Sequence, residues 1–174
     1  VNGTNTSLGK LALVSNTTGV DNVAVGAFST RYNTTGNGNA ALGKNSLSSN
    51  TTGGDNVALG NGALRSNMAG SQITAVGSGA LYYANSTDAA LDAGNTAVGF
   101  EAMRGSSTAS NNTSLMNTAV GHQALTSNTD GDYNAAFGAA ALLSNTTGNY
   151  LCALGRGALT NNTTGTYNTG VGYR

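Results

Sequence analysis

NTAVGHQALTSNTDGDYNAAFGAAALLSNTTGNY, residues 117–150, states nearly the same phrase twice at an interval of 17 residues. Following that phrase outward in both directions decides the fold. Its anchor is the glycine that closes each short apolar run, and it recurs at Gly9, Gly26, Gly43, Gly60, Gly77, Gly99, Gly121, Gly138, Gly155 and Gly172. The interval is 17 residues throughout except for two consecutive units of 22. Each unit reads Asn-x-Ala-x-Gly, then Ala-Leu, then Asn-Thr-Thr-Gly. Nine units are complete between Asn5 and Tyr167, and a tenth begins at Asn168. The pattern starts and stops mid-unit, so residues 1–174 read as a single array cut from a longer one.

The composition narrows what such an array can be. The chain has no Trp, 6% aromatic residues and 8% charged residues, against about 25% charged in ordinary domains. Seven basic and seven acidic residues cancel, which leaves no net charge to attract nucleic acid or an anionic membrane. No apolar run approaches the ~18 residues of a membrane-inserted helix. Proline is absent although the chain is rich in Gly, Asn and Thr. Disordered segments favour proline, whereas a chain whose every N–H joins a ladder excludes it.

A period of 17 is too short for a helix-turn-helix unit, and the residues are poor helix formers. The period suits one coil of a parallel β-solenoid, or β-roll. The expectation is therefore an all-β chain of about ten coils stacked ~4.8 Å apart, a rod roughly 48 Å long. Each coil is expected to hold two short strands, at Asn-Thr-Ala-Val and at Ala-Leu. The anchor glycine and the glycine of Asn-Thr-Thr-Gly are both expected at backbone angles other residues resist.

Stacking explains why columns repeat. Asn columns, such as Asn22, Asn39 and Asn56 or Asn16, Asn33, Asn50 and Asn67, are expected to hydrogen-bond along the axis through their amides. Two apolar columns are expected to face inward: Leu8, Val25, Leu42, Leu59, Val76, Val98, Val120, Phe137, Leu154 and Val171, and Leu13, Leu47, Leu64, Leu81, Met103, Leu125, Leu142 and Leu159. A coil built on so few small apolar side chains buries little surface against the entropy of ordering it. A core shared among chains would help, and this is the physical reason to expect a homotrimer or filament.

The strings NVAVG (Asn22–Gly26), NVALG (Asn56–Gly60) and NTAVG (Asn95–Gly99, Asn117–Gly121), each followed two residues on by Ala or Ser, resemble the head repeats of YadA-like trimeric autotransporter adhesins. The units with Asn-Thr-Thr-Gly turns are also similar to repeats of phage tail-fibre proteins. The resemblance covers essentially the whole chain, although the unit is longer here than the usual head repeat. It implies a homotrimeric β-roll fibre, extracellular, on a cell surface or a virion, which attaches to a host-surface glycan or protein. The resemblance implies no cofactor and no nucleic-acid partner.

The longer units carry the irregular segments, within Tyr82–Gly94 and Arg104–Met116. Loops on a rigid scaffold are where binding usually lives. Tyr82, Tyr83, Asp88, Asp92 and Arg104 are the candidate surface patch, with tolerated insertion as the plainer reading. Tyr133, Tyr150 and Tyr167 hold one column in three successive coils, a candidate aromatic ladder for a sugar face or a simple stack. Lysines and arginines keep to columns just after the anchor glycine, where they read as solvating charges.

Catalytic residues are scarce: one His, one Cys and one Glu, His122, Cys152 and Glu101, with no recurring acid pair. The expectation is a non-enzymatic structural or adhesive fibre segment, with no metal and no cofactor. The alternatives are an ice-binding β-solenoid, suggested by paired threonines such as Thr17-Thr18 and Thr34-Thr35, and a subunit of another extracellular filament. The turns also match glycosylation sequons at Asn16, Asn33, Asn50, Asn145 and Asn162, and Asn85 adds another in the first insertion.

Overall fold

The computed structural model describes residues 3–84, 93–108 and 112–174. Among these residues the protein is all-β and has no helix. Ten strands form one parallel sheet in chain order: β1 (Thr6–Leu8), β2 (Val23–Val25), β3 (Ala40–Leu42), β4 (Val57–Leu59), β5 (Thr74–Val76), β6 (Thr96–Val98), β7 (Thr118–Val120), β8 (Ala135–Phe137), β9 (Cys152–Leu154) and β10 (Thr169–Val171). The chain winds into a β-solenoid of about nine turns.

Register follows the repeat. Val23 pairs with Ala40, Ala24 with Ala41 and Val25 with Leu42, so every column stacks on itself. The longer units keep the same register, with Thr74 on Thr96 and Ala97 on Ala119. An insertion therefore leaves and rejoins the coil without shifting the sheet.

Strand parity decides the core, and it corrects one of the two expected inward columns. Successive side chains in a strand point to opposite faces. Ala24, Ala41, Ala58, Ala75, Ala97, Ala119, Ala136 and Ala153 point inward and are buried. Their neighbours must then point outward. Leu8, Leu42, Leu154 and Val171 are 68%, 53%, 52% and 73% exposed, and Leu59, Val98 and Phe137 are exposed too. The narrow interior takes the methyl group of alanine, and the larger aliphatic side chains are left on the outer face. The second expected inward column is correct: Leu13, Leu47, Leu64, Leu81, Met103, Leu125 and Leu142 are buried, and Leu159 packs against the core.

The Ala-Leu segment is not the second strand expected of each coil. Its leucine takes a left-handed backbone in coil after coil, with φ of 52° at Leu13, 50° at Leu47, 54° at Leu64 and 52° at Leu142. An extended strand cannot include such residues. The segment still contributes to the stack: Leu47 N donates to Ala63 O at 2.9 Å and Leu64 N to Ala80 O at 2.9 Å. These bonds between coils hold a conformation that costs a leucine of order 1–2 kcal/mol.

Two kinds of glycine serve two purposes. The anchor glycines have φ near +130°, and a Cβ on Gly60 would sit 2.6 Å from the carbonyl carbon of Gly77 in the next coil. The glycines of Asn-Thr-Thr-Gly are not in the left-handed region, contrary to expectation. They are needed for space, since a Cβ on Gly36 would lie 2.5 Å from Asn33 Oδ1 and 2.9 Å from Asn50 Nδ2.

Candidate binding surface

Four features of the rod bear on function: the asparagine ladders that set its shape, an arginine–tyrosine groove, a tyrosine stack and the outer face of the sheet. The ladders come first because they fix the turns. Asn39 Nδ2 donates to Asn22 Oδ1 at 3.0 Å and to Gly53 O at 3.0 Å. In the turn column, Asn33, Asn50 and Asn67 each donate to the asparagine below, at 2.8, 2.8 and 3.0 Å, and to the glycine carbonyl of their own turn. These amides are buried and doubly engaged, so Asn33, Asn50 and Asn145 cannot carry a glycan in the folded rod despite their sequons. The first threonine of each turn is engaged as well. The hydroxyls of Thr17, Thr34, Thr51, Thr129 and Thr146 donate to carbonyls of the next coil at 2.9–3.1 Å.

Tyr82, Tyr83 and Arg104 of the expected patch lie together, while Asp88 and Asp92 fall outside the described residues. The Tyr82 and Tyr83 rings meet edge to face, 4.7 Å between centroids. The Arg104 guanidinium lies 5.2 Å over Tyr83, and its Nε is 3.7 Å from Glu101 Oε1. Arg65, one coil below, completes the cluster: its guanidinium lies 5.2 Å over Tyr82 and Nη1 donates to the phenol oxygen. Gly62 makes room for this, because a Cβ there would come within 2.9 Å of the Tyr82 ring. Asn61, Ser78, Gly79 and Phe100 close an open groove of about 290 Å³. Arg65 and Glu101 were not in the expected patch. The signal for Arg65 was present, because Arg65, Tyr82 and Arg104 hold the same position in consecutive coils.

Tyr133, Tyr150 and Tyr167 stack, with centroids 5.2 and 5.0 Å apart and planes within 1° and 5° of parallel. Each ring face inside the stack is covered by the next ring. What the column offers outward between its ends is ring edges and hydroxyls, so a sugar finds a ring face only at the Tyr133 and Tyr167 ends.

The outer face of the sheet is an apolar feature that runs from β1 to β10. Leu8, Leu42, Leu59, Val98, Phe137, Leu154 and Val171 run along it as one exposed column. Beside it runs a column of Thr, Val and Ala that includes the exposed Cys152. Ten strands at ~4.8 Å make this face about 43 Å long.

Among the described residues, no group of three or more His, Cys, Asp or Glu is placed to hold a metal ion, and no helix is long and apolar enough to cross a membrane. Comparison with family models, with curated proteins and with solved structures finds no match.

Proposed function

We propose that this chain is a rigid, non-enzymatic rod segment of an extracellular or virion-borne fibre, of the kind found in bacterial adhesins and phage tail fibres. Copies of it assemble through the outer face of the sheet. The observation that carries this reading is the outer column of Leu, Val and Phe, seven of its ten side chains exposed and Val25, Val76 and Val120 half-buried, on an otherwise regular rod. Soluble chains seldom expose such a stripe without a partner for it. Assembly gives each chain the shared apolar core that one small-residue coil lacks. The Arg65–Tyr82–Tyr83–Arg104 groove then remains on the outside, where it suits attachment to a host-surface glycan or protein.

Sedimentation equilibrium tests the reading. The expected result is a trimer that Leu42→Asp together with Leu154→Asp converts to a monomer with unchanged circular dichroism. A wild-type monomer at all concentrations would defeat it. The ice-binding alternative keeps only half of its threonines, because the first of each turn spends its hydroxyl proton within the rod and only the exposed second one, as at Thr18, Thr35, Thr52 and Thr147, faces water. Thermal hysteresis lost on replacing those threonines would restore that alternative.

A further inference from the structure

The arginine–tyrosine groove is one end of a longer feature. Arg31, Arg65 and Arg104 share one column of the repeat, the fifth place after the anchor glycine. They follow β2, β4 and β6, so each stands two coils from the next. The longer unit between Arg65 and Arg104 does not alter that interval, because Ser66 N donates to Tyr82 O and Tyr83 N to Arg104 O. The same ladder joins Arg31 to Arg65, through Tyr32 N to Ser48 O and Ser49 N to Arg65 O. Three arginines therefore form a row along the rod axis at intervals of about 10 Å, roughly 19 Å from first to last.

Each arginine of the row rests on an aromatic ring. The Arg31 guanidinium lies 4.7 Å over Tyr32 and 5.4 Å over Phe28, that of Arg65 5.2 Å over Tyr82, and that of Arg104 5.2 Å over Tyr83. A guanidinium held against a ring is fixed in place while its N–H donors stay available. Arg65 Nη1 donates to the Tyr82 phenol oxygen; the other terminal nitrogens of the row make no hydrogen bond among the described residues. Arg31 Nε is buried and unbonded. Glu101 meets Arg104 at Nε, 3.7 Å away, and also accepts from Gln123 Nε2 at 2.9 Å. The other described acids, Asp21, Asp55, Asp130 and Asp132, lie in the turns that lead into strands, in the other half of the coil. The row is thus a positive strip on a chain whose net charge is zero.

We infer that this row binds a linear acidic polysaccharide laid along the rod, one that carries a carboxylate on every second sugar ring. The inference rests on the reading above, in which the groove stays open for attachment, and it names the ligand class and adds Arg31 to the site. A pyranose ring in an extended glycan advances by about the rise of one coil, so a carboxylate on alternate rings repeats at the interval of the arginines. The planar guanidinium fork matches a carboxylate through two parallel hydrogen bonds. Tyr32 and Phe100, 46% and 48% exposed, flank the row and offer ring surface to the apolar faces of the sugars. Because the rings already hold the guanidinium groups, little side-chain entropy is lost on binding. A nucleic-acid strand fits less well. Its phosphates repeat at ~3.4 Å in a duplex, so about two of every three would pass the row without a partner.

Hyaluronan fragments, which carry one carboxylate per disaccharide, are the probe, and titration calorimetry on the full chain is the measurement. The hexasaccharide is long enough to meet all three arginines, whereas the tetrasaccharide meets two. Arg31→Gln is expected to weaken the hexasaccharide about threefold to tenfold and to affect the tetrasaccharide far less, because Arg65 and Arg104 still hold it. Arg65→Gln, at the centre of the row, is expected to weaken both. Arg31→Lys keeps the charge and the stem but not the fork, and is expected to give the same order of effects with a smaller loss. Equal losses for the two lengths in Arg31→Gln and Arg31→Lys, or no loss for either, would overturn the row. Neutral dextran bound as tightly as hyaluronan would overturn the acidic ligand, and oligothymidylate bound more tightly at equal charge would overturn it in favour of nucleic acid. Sedimentation of the same samples keeps the two readings apart. A trimer that binds no hyaluronan overturns the inference and leaves the fibre reading standing, whereas a monomer that binds it with the expected dependence on Arg31 upholds the inference and overturns the assembly.

Discussion

The first four coils and the two that follow them differ in one respect. From Asn16 to Asn67 the turn asparagines form an unbroken ladder. Above Asn67 the next occupant of the column is Ala84, and the ladder resumes only at Asn128. Asn67 Oδ1 is left buried without a partner, and a cavity of about 20 Å³ opens nearby between Ile73, Leu81, Met103 and Asn128. The sheet and the core pass through the same interval unchanged. Strands β5, β6 and β7 keep register, and Leu64, Leu81, Met103 and Leu125 stay buried. Backbone pairing and the Ala and Leu columns therefore carry the continuity of the rod. The asparagine ladder carries the shape of one turn, and insertions enter where that turn is given up.

The largest expected effect strikes what the two regions share. Gly60→Ala places a Cβ against the Gly77 backbone, which is tethered to the lower coil because Gly77 N donates to Leu59 O at 2.7 Å. A loss of at least ~4 kcal/mol is expected from the combined clash and left-handed strain. Gly172 has a similar φ of 122° but nothing within 4 Å of an added Cβ. Gly172→Ala is expected to lose only the strain, about 1–3 kcal/mol. Urea denaturation of both variants separates clash from strain. Equal losses would mean that close packing between coils is not what requires the anchor glycine.

Next in size is a test of the ladder itself. Asn50→Ala removes the donor to Asn33 Oδ1 and the acceptor for Asn67 Nδ2, both buried. A cost of about 2–4 kcal/mol is expected from the two stranded groups. Asn67→Ala is expected to lose less, about 1–2 kcal/mol, because it also removes an oxygen that has no partner. Comparable losses at both positions would erase the distinction between the laddered and the interrupted coils.

Much of this was legible in the sequence because stacking copies each requirement once per coil. The period, the anchor glycine, the asparagine ladders and the Leu13–Leu142 column are all such repeated requirements. The outer face is the exception, because side-chain size alone points to Leu and Val as the buried residues. In Asn-x-Ala-x-Gly the invariant small residue is the inward one, and parity then turns the aliphatic residues out. The lost second strand was illegible for a different reason. Nothing in the identity of Leu47 or Leu64 announces a φ near +50°, since leucine ordinarily avoids it and only the surrounding coil imposes it. Of the surface patch, Tyr82, Tyr83 and Arg104 were legible from the inserted units. Arg65 belongs to them by column, but its own unit is regular and carries no irregularity to mark it.

The smallest effect separates side-chain stacking from backbone strain. Tyr150 is stacked on both faces and has φ of 55°. Its column accepts Tyr, Asp and Gly at nearly the same angle, 58° at Asp21 and 66° at Gly38, so the coil sets the backbone whatever side chain is present. Tyr150→Ala keeps the strained angle and loses two ring contacts, a cost of about 1–2 kcal/mol for half-exposed rings. Tyr150→Gly loses the same contacts but relieves about 1 kcal/mol of left-handed strain, so its net cost is expected near zero to 1 kcal/mol. Hydrogen exchange of the Tyr150 amide, bonded to Asp132 O at 3.1 Å, reports both locally. Equal protection in the Ala and Gly variants would mean that the stack of coils absorbs the strain. Unchanged protection in Tyr150→Ala would mean that the rings lie parallel only because the coils beneath them do.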